Sequence, residues 1–218
     1  MTPADLIDKL MQAFTAEKFT GEVQDARRDF YERAGVFDQA SDDFEMKMAQ
    51  FADWYLFCRP LQQLAKAPIQ AMELVQVEFT PEQMPLFEGL KNSRHSLFEF
   101  IKIKGSDIFV KDLFLSEKLV IKNSPYSMGF NKAELFEARL APIDGTYHFC
   151  PAFCFHPDQA SKYILKEIKR VKKVKVAETK ALEKESVISK LFKMKYKQQQ
   201  YKHVKVLDIY SNEPKLRF

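Results

Sequence analysis

Residues Ser96 to His156 read SLFEFIKIKGSDIFVKDLFLSEKLVIKNSPYSMGFNKAELFEARLAPIDGTYHFCPAFCFH, and this stretch decides the fold. It holds five apolar, β-branched or aromatic runs: Leu97–Ile103, Ile108–Phe114, Leu119–Lys122, Glu134–Ile143 and Tyr147–Phe155. Turn residues separate them: Gly105-Ser106-Asp107, Ser116-Glu117, Asn123-Ser124-Pro125 through Gly129, and Asp144-Gly145. Asp-Gly between alternating runs spells a hairpin, because both central residues tolerate positive φ. Phe136, Ala138 and Leu140 share one strand face, with Glu137 and Arg139 on the other; Phe149, Phe153 and Phe155 are in phase with Tyr147. Short strands joined by tight turns predict a five-stranded antiparallel barrel, SH3-like or OB-like.

Helical patterns lie on both sides, so the fold class is α+β. Thr2-Pro3 opens a helix with Asp5 near its positive end, and Leu6, Leu10, Met11 and Phe14 recur on one face. A second helix over 22–33 turns Val23, Ala26 and Phe30 inward and stops at Gly35. Ser41 is the expected cap of a third, with Asp42, Asp43 and Glu45 in its first turn. Its stripe is Phe44, Met48, Phe51, Ala52 and Tyr55, widened by Trp54, Phe57 and Cys58, which predicts burial on more than one side; Pro60 ends it. Pro68 and Thr80-Pro81-Glu82-Gln83 begin two shorter helices, the latter with a capping-box spelling. Beyond the strands, Ile164, Ile168 and Val171 occupy one helical face and Lys166, Lys169, Arg170 and Lys173 the opposite one. A second apolar set, Val187, Ile188, Leu191 and Met194, follows Glu183-Lys184-Glu185, and Val204, Val206 and Ile209 suggest a strand or extended segment that packs back. Three segments are expected: 1–95 as a helical subdomain, 96–156 as the barrel, and 157–218 as a long basic helical arm with its tail.

Composition bounds the function. Of 218 residues 46% are hydrophobic, enough for a real core. No run of ~18 apolar residues exists, so no membrane span is expected, and Met1-Thr2-Pro3-Ala4-Asp5 lacks the layout of a signal peptide. Cys58, Cys150 and Cys154 are odd in number, which argues against a disulfide framework and for a cytoplasmic protein. The formal charge of +4 divides unevenly: residues 1–155 carry 17 Lys+Arg against 23 Asp+Glu, and residues 156–218 carry 17 against 7.

Local catalytic motifs are absent. No phosphate loop, dinucleotide turn, nucleophile elbow or His-Glu-x-x-His occurs, and all six glycines are isolated. The expectation is a non-enzymatic protein without a cofactor. His148, Cys150, Cys154 and His156 fall at even steps and share one strand face, a zinc-like donor set. On a regular strand they span ~27 Å, far more than one coordination sphere allows, so geometry argues against a metal and the expectation is two small buried cysteines and two histidines near strand ends. Arg27, Arg28 and Arg33 are similar to the arginine motif of PilZ cyclic-dinucleotide receptors, but one residue too many separates Arg28 from Arg33. The second PilZ signature is also missing, which leaves a solvated basic helix face.

Ala26-Arg27-Arg28-Asp29-Phe30-Tyr31, Phe51-Ala52-Asp53-Trp54-Tyr55-Leu56-Phe57-Cys58-Arg59-Pro60-Leu61, Ser96-Leu97-Phe98-Glu99-Phe100 and Ala138-Arg139-Leu140 occur in that order. Together they resemble a family of uncharacterised bacterial proteins of predatory and social soil bacteria. The resemblance implies a self-contained cytoplasmic protein whose helical part and strands belong together, and it brings no activity, cofactor or site residue.

Two functions are open on the sequence. In the first, Lys166, Lys169, Arg170 and Lys173 contact nucleic acid or a ribonucleoprotein surface, with Tyr163, Phe192, Tyr196 and Tyr201 available to stack on bases. In the second, the basic arm pairs with the acidic N-terminal helices of a protein partner or a second copy, an interaction or self-assembly module. There the arm beyond Lys172 projects, and Val187, Ile188 and Leu191 form the partner contact.

Overall fold

In the computed structural model, the residues described are 1–35, 40, 43–126 and 130–213. The expected cap Ser41, its neighbour Asp42 and the turn residue Gly129 lie outside them.

Five antiparallel strands are present: β1 (Arg94–Lys104), β2 (Asp107–Asp112), β3 (Lys118–Ile121), β4 (Leu135–Ile143) and β5 (Thr146–Phe155). Their boundaries follow the five apolar runs within a few residues. Asp144 (φ 48°) and Gly145 (φ 73°) are both left-handed, the double positive φ that a two-residue turn demands. The order is β3-β2-β1-β4-β5, with β3 and β5 at the edges. The sheet is therefore open, and the expected barrel closure is corrected. Pro151 lies in edge strand β5, where a missing backbone N–H is tolerated. Between β1 and β2 the register slips at Phe100/Lys102, leaving Ile101 as an extra bulged residue.

Among the described residues there are seven α-helices: α1 (Pro3–Phe14), α2 (Thr20–Ala34), α3 (Phe44–Phe57), α4 (Met84–Lys91), α5 (Ser161–Lys172), α6 (Ala177–Gln200) and α7 (Val206–Ile209). Two 3-10 turns, Pro68–Gln70 and Met72–Leu74, replace the helix expected after Pro68. The segment of Val206 and Ile209 is a single helical turn rather than a strand. The chain groups into two compact units, each discontinuous: 1–94 with 139–153, and 95–138 with 154–218. This grouping cuts across the three consecutive segments expected from the sequence.

In the first unit, Thr2 caps α1 reciprocally with Asp5, and Leu6, Ile7, Leu10 and Phe14 are buried. Helix α3 packs against α1 and α2. Its buried residues are Gln50, Phe51, Asp53, Tyr55 and Leu56, so polar groups as well as apolar ones turn inward. Each finds a partner on the strand segment: Asp53 binds Arg139 of β4, and the Gln50 amide donates to the Phe153 carbonyl of β5. The expected burial of α3 on more than one side is thereby seen. Ahead of α4 the Gln83 side chain accepts from the Thr80 backbone N–H at 3.2 Å, one half of the capping box spelled there.

In the second unit, α5, α6 and α7 build one core with strand residues. Ile164, Ile168, Val171, Val187, Ile188, Leu191, Met194 and Ile209 pack with Leu97, Leu113, Phe114 and Leu135. A separate aromatic cluster contains Phe98, Phe100, Phe130, Phe136 and Phe155, with neighbouring ring centroids 5.3–5.8 Å apart.

Candidate functional site

Helix α5 is amphipathic, burying Ile164, Glu167, Ile168 and Val171. Lys166, Lys169, Arg170 and Lys173 are all exposed, and Lys162 extends the row by one more helical step. Residues 162, 166, 169 and 173 recur at four, three and four, so their side chains follow one stripe of ~16 Å. Among the described residues, Lys162, Lys166, Lys169 and Lys173 have no carboxylate within ion-pair distance. Arg170 differs. Its Nε donates to Glu167 at 3.3 Å and its Nη1 to Glu183 of α6 at 2.8 Å, and these charge-assisted bonds hold its guanidinium above its ordinary range against the opposing effect of burial. Glu167 is buried and also accepts from the Asn212 amide at 3.1 Å. Arg170 thus belongs to an internal network, and the unneutralised row is the lysines.

The expected partner contact is corrected. Val187, Ile188 and Leu191 are 2%, 2% and 1% exposed and lie in the core of their own unit. The reason is spacing: they follow one face of α6, and α5 together with the short turn of α7 covers it. The second half of the arm therefore packs rather than projects. The expected stacking platform also dissolves. Phe192 and Tyr196 are buried against each other at 4.9 Å between centroids, and the Tyr163 hydroxyl donates to Asn212 at 2.8 Å. Of the four aromatics only Tyr201 is exposed.

The acidic N-terminal surface is engaged within its own unit. Glu22 and Asp29 accept from Arg59 at 2.9 and 3.2 Å, and Asp25 pairs with Arg28 at 2.8 Å. The basic face of α2 expected from the arginine spacing is likewise partly neutralised, and Arg33 lies over the Trp54 ring at 5.1 Å.

Cys154, His156 and Glu137 form a second feature. Cys154 is the second-last residue of β5, and His156 follows directly after the strand's end. Glu137 comes from β4. One donor atom of each lies within 4.8 Å of the others. The Glu137 Oε1 contacts His95 Nε2 at 2.8 Å, and His156 Nδ1 contacts the Tyr210 hydroxyl at 3.1 Å. Burial pushes the His156 imidazole down to about 3, with the nearby Lys195 charge acting the same way. Burial, reinforced by Glu137, pushes the Cys154 thiol well above its ordinary range.

The sequence grouping of four donors separates. His148 Nε2 contacts Thr146 Oγ1 at 3.0 Å, and Cys150 is buried in the first unit near Arg139 and Asp53. Glu137 was missed because alternation assigns it to an outer face. The available signal was a lone glutamate inside the apolar run Leu135–Leu140, adjoining a strand with Cys and His at even spacing.

These features define an α+β protein on an open five-stranded antiparallel sheet, with the α5 lysines and the Glu137–Cys154–His156 cluster as its candidate sites. No helix among the described residues is long and apolar enough to cross a membrane. The chain belongs to a family of unknown function, DUF7986, whose model matches residues 2–198. No curated protein and no solved structure matches it.

Proposed function

We propose that this is a non-enzymatic binding protein whose α5 lysine row contacts the phosphate backbone of nucleic acid. The observation that carries the reading is the row Lys162, Lys166, Lys169 and Lys173, exposed along one helical stripe without carboxylate partners among the described residues. Ammonium groups one turn apart neutralise successive phosphates and release their counterions, giving affinity without base readout. The burial of Phe192 and Tyr196 leaves only Tyr201 of the four aromatics exposed, so base stacking contributes little and sequence preference should be weak on duplex and single strand alike. Pairing with the acidic helices of another copy is the weaker reading, since Glu22, Asp25 and Asp29 already hold cations of their own unit.

Fluorescence anisotropy with labelled duplex DNA and RNA tests this. With three to four phosphates neutralised, log K against log salt should fall with a slope of about −3 on a duplex. Replacing Lys166, Lys169 and Lys173 by Glu should abolish binding. Absence of binding at ~50 mM salt, where counterion release still favours association, would end the proposal.

A further inference from the structure

Two polar atoms in the Glu137–Cys154–His156 cluster are buried without any hydrogen-bond partner: Glu137 Oε2 and His156 Nε2. Leaving such atoms unpaired costs free energy, and native structures rarely do so without a ligand or water to complete them. His156 itself is only 3% exposed. The remaining atoms of both side chains are held: His95 Nε2 fixes Glu137 Oε1, and the Tyr210 hydroxyl fixes His156 Nδ1. A ligand carboxylate bonded to an imidazole, and a ligand imidazole whose second nitrogen is hydrogen-bonded, are the arrangements that orient donors around a transition metal. The third donor is a thiol with no disulfide.

We infer that Glu137, Cys154 and His156 form a three-residue site for a borderline divalent transition metal, Zn²⁺ or its substitute Co²⁺. Carboxylate, imidazole and thiolate are the zinc donors, and three protein ligands leave the fourth tetrahedral position for water or another donor. Tetrahedral ligands at zinc bond lengths lie ~3.4–3.8 Å apart, so donors now within 4.8 Å must draw in by less than the length of one bond. Binding forms the Cys154 Sγ–metal bond and releases the thiol proton to solvent; no electron is transferred. The two anionic donors offset the dication, while the Lys195 charge near Cys154 and His156 opposes it. The site ties β4 to the end of β5, with the outer partners supplied by β1 (His95) and the residue following α7 (Tyr210).

The test is Co²⁺ titration of the full chain carrying Cys58→Ser, which removes the exposed thiol. One equivalent should produce thiolate-to-cobalt charge-transfer absorption and the intense visible bands of four-coordinate cobalt, both erased by excess Zn²⁺. Adding Cys154→Ser should abolish the charge-transfer band. His95→Ala should keep one equivalent bound but weaken affinity about 10–100-fold, as loss of a ligand-orienting partner does. Should Cys154→Ser fail to fold, X-ray absorption on the zinc-loaded wild-type chain decides instead, with one sulfur at ~2.3 Å among nitrogen and oxygen ligands expected. No charge-transfer band at one equivalent, a band unchanged by Cys154→Ser, or a zinc shell without sulfur would overturn the assignment.

Discussion

Arg139 and Asp53 are joined by two parallel hydrogen bonds, Nε to Oδ1 at 2.7 Å and Nη2 to Oδ2 at 3.0 Å, and both side chains are buried. The guanidinium is further bracketed by Ser93 Oγ at 3.3 Å, Cys58 Sγ at 3.4 Å and the Phe57 ring at 4.3 Å. Desolvation works against the charged arginine, but Asp53 outweighs it and holds the group well above its ordinary range. Such a fork-to-fork pair fixes the approach of α3 to β4 in one geometry. Asp53→Ala should cost about 3–5 kcal/mol, because it strands a buried cation. The double variant Asp53→Leu/Arg139→Met should cost distinctly less than that single change. Urea midpoints measure both, and a loss under ~1 kcal/mol for Asp53→Ala, a value typical of exposed pairs, would show that the pair is not buried in solution.

Two glycines in helices should respond with opposite sign to the same substitution. A Cβ on Gly89 of α4 would meet the Pro142 carbonyl oxygen at 2.5 Å and Ile143 Cγ1 at 2.7 Å, whereas one on Gly21 of α2 meets nothing within 4 Å. Alanine is the better helix former by up to ~1 kcal/mol. Gly21→Ala should therefore stabilise by roughly 0.4–1 kcal/mol. Gly89→Ala should destabilise by about 1–3 kcal/mol, since backbone at β4 has to shift. Thermal melts of the two variants side by side make the comparison, and equal signs would contradict the close approach of α4 to β4.

Tyr55 sets an alkaline limit on the first unit. It is fully buried, its hydroxyl donates to the Phe14 carbonyl at 2.9 Å, and burial, aided by Glu22, pushes the phenol up to about 12. An unfolded tyrosine ionises near ~10, so the unfolded chain loses its proton first as pH rises. The contribution is complete below about pH 10 and is lost as pH climbs through ~12, at up to ~1.4 kcal/mol per pH unit. Tyr55→Phe lacks this titration and should start ~1 kcal/mol less stable at neutral pH. The gap to wild type should narrow across that window in urea melts at stepped pH; a constant gap would count against the shift.

Packing of the arm makes its own prediction. Because Ile188 and Leu191 lie in the second unit's core, Leu191→Ala should cost about 2–5 kcal/mol as a cavity forms. Hydrogen exchange in dilute protein should show α6 protected through Leu191. A surface-like loss of a few tenths of a kcal/mol would restore the projecting arm.

How much of this was legible depends on range. The strands were, since β-branched runs and turn residues such as Asp144-Gly145 act locally. Closure was not, because it depends on which strands meet at the edges, and no local residue pattern specifies that. Helix α6 misled because Lys180, Lys184 and Lys190 space out apolar residues whose face is nonetheless covered. Glu137 and Arg139 were read outward on the rule that one sheet face is wet; here Glu137 contacts half-buried His95 and Arg139 binds buried Asp53. The lysine row was plain in the helical period. Its one ion-paired member, Arg170, was not, since Glu183 reaches it from the next helix.

That difference within the row supplies the last prediction. Among the described residues Lys166, Lys169 and Lys173 have no carboxylate partner, whereas Arg170 binds Glu183 and the buried Glu167. Lys166→Glu/Lys169→Glu/Lys173→Glu should therefore break no ion pair among the described residues and act on stability through the helix dipole alone. The expected cost is about 0.3–1 kcal/mol for each acidic group introduced near the negative end of α5, while polyanion binding is lost. Arg170→Glu should do the reverse, weakening binding least and stability most, because it removes the cation shared by Glu183 and the buried Glu167 and sets a third carboxylate beside them. Urea melts and anisotropy on the same three preparations, wild type included, separate the two effects. Equal loss of binding for Arg170→Glu and for the triple variant, at unchanged stability, would put Arg170 on the binding row and break the division drawn between them.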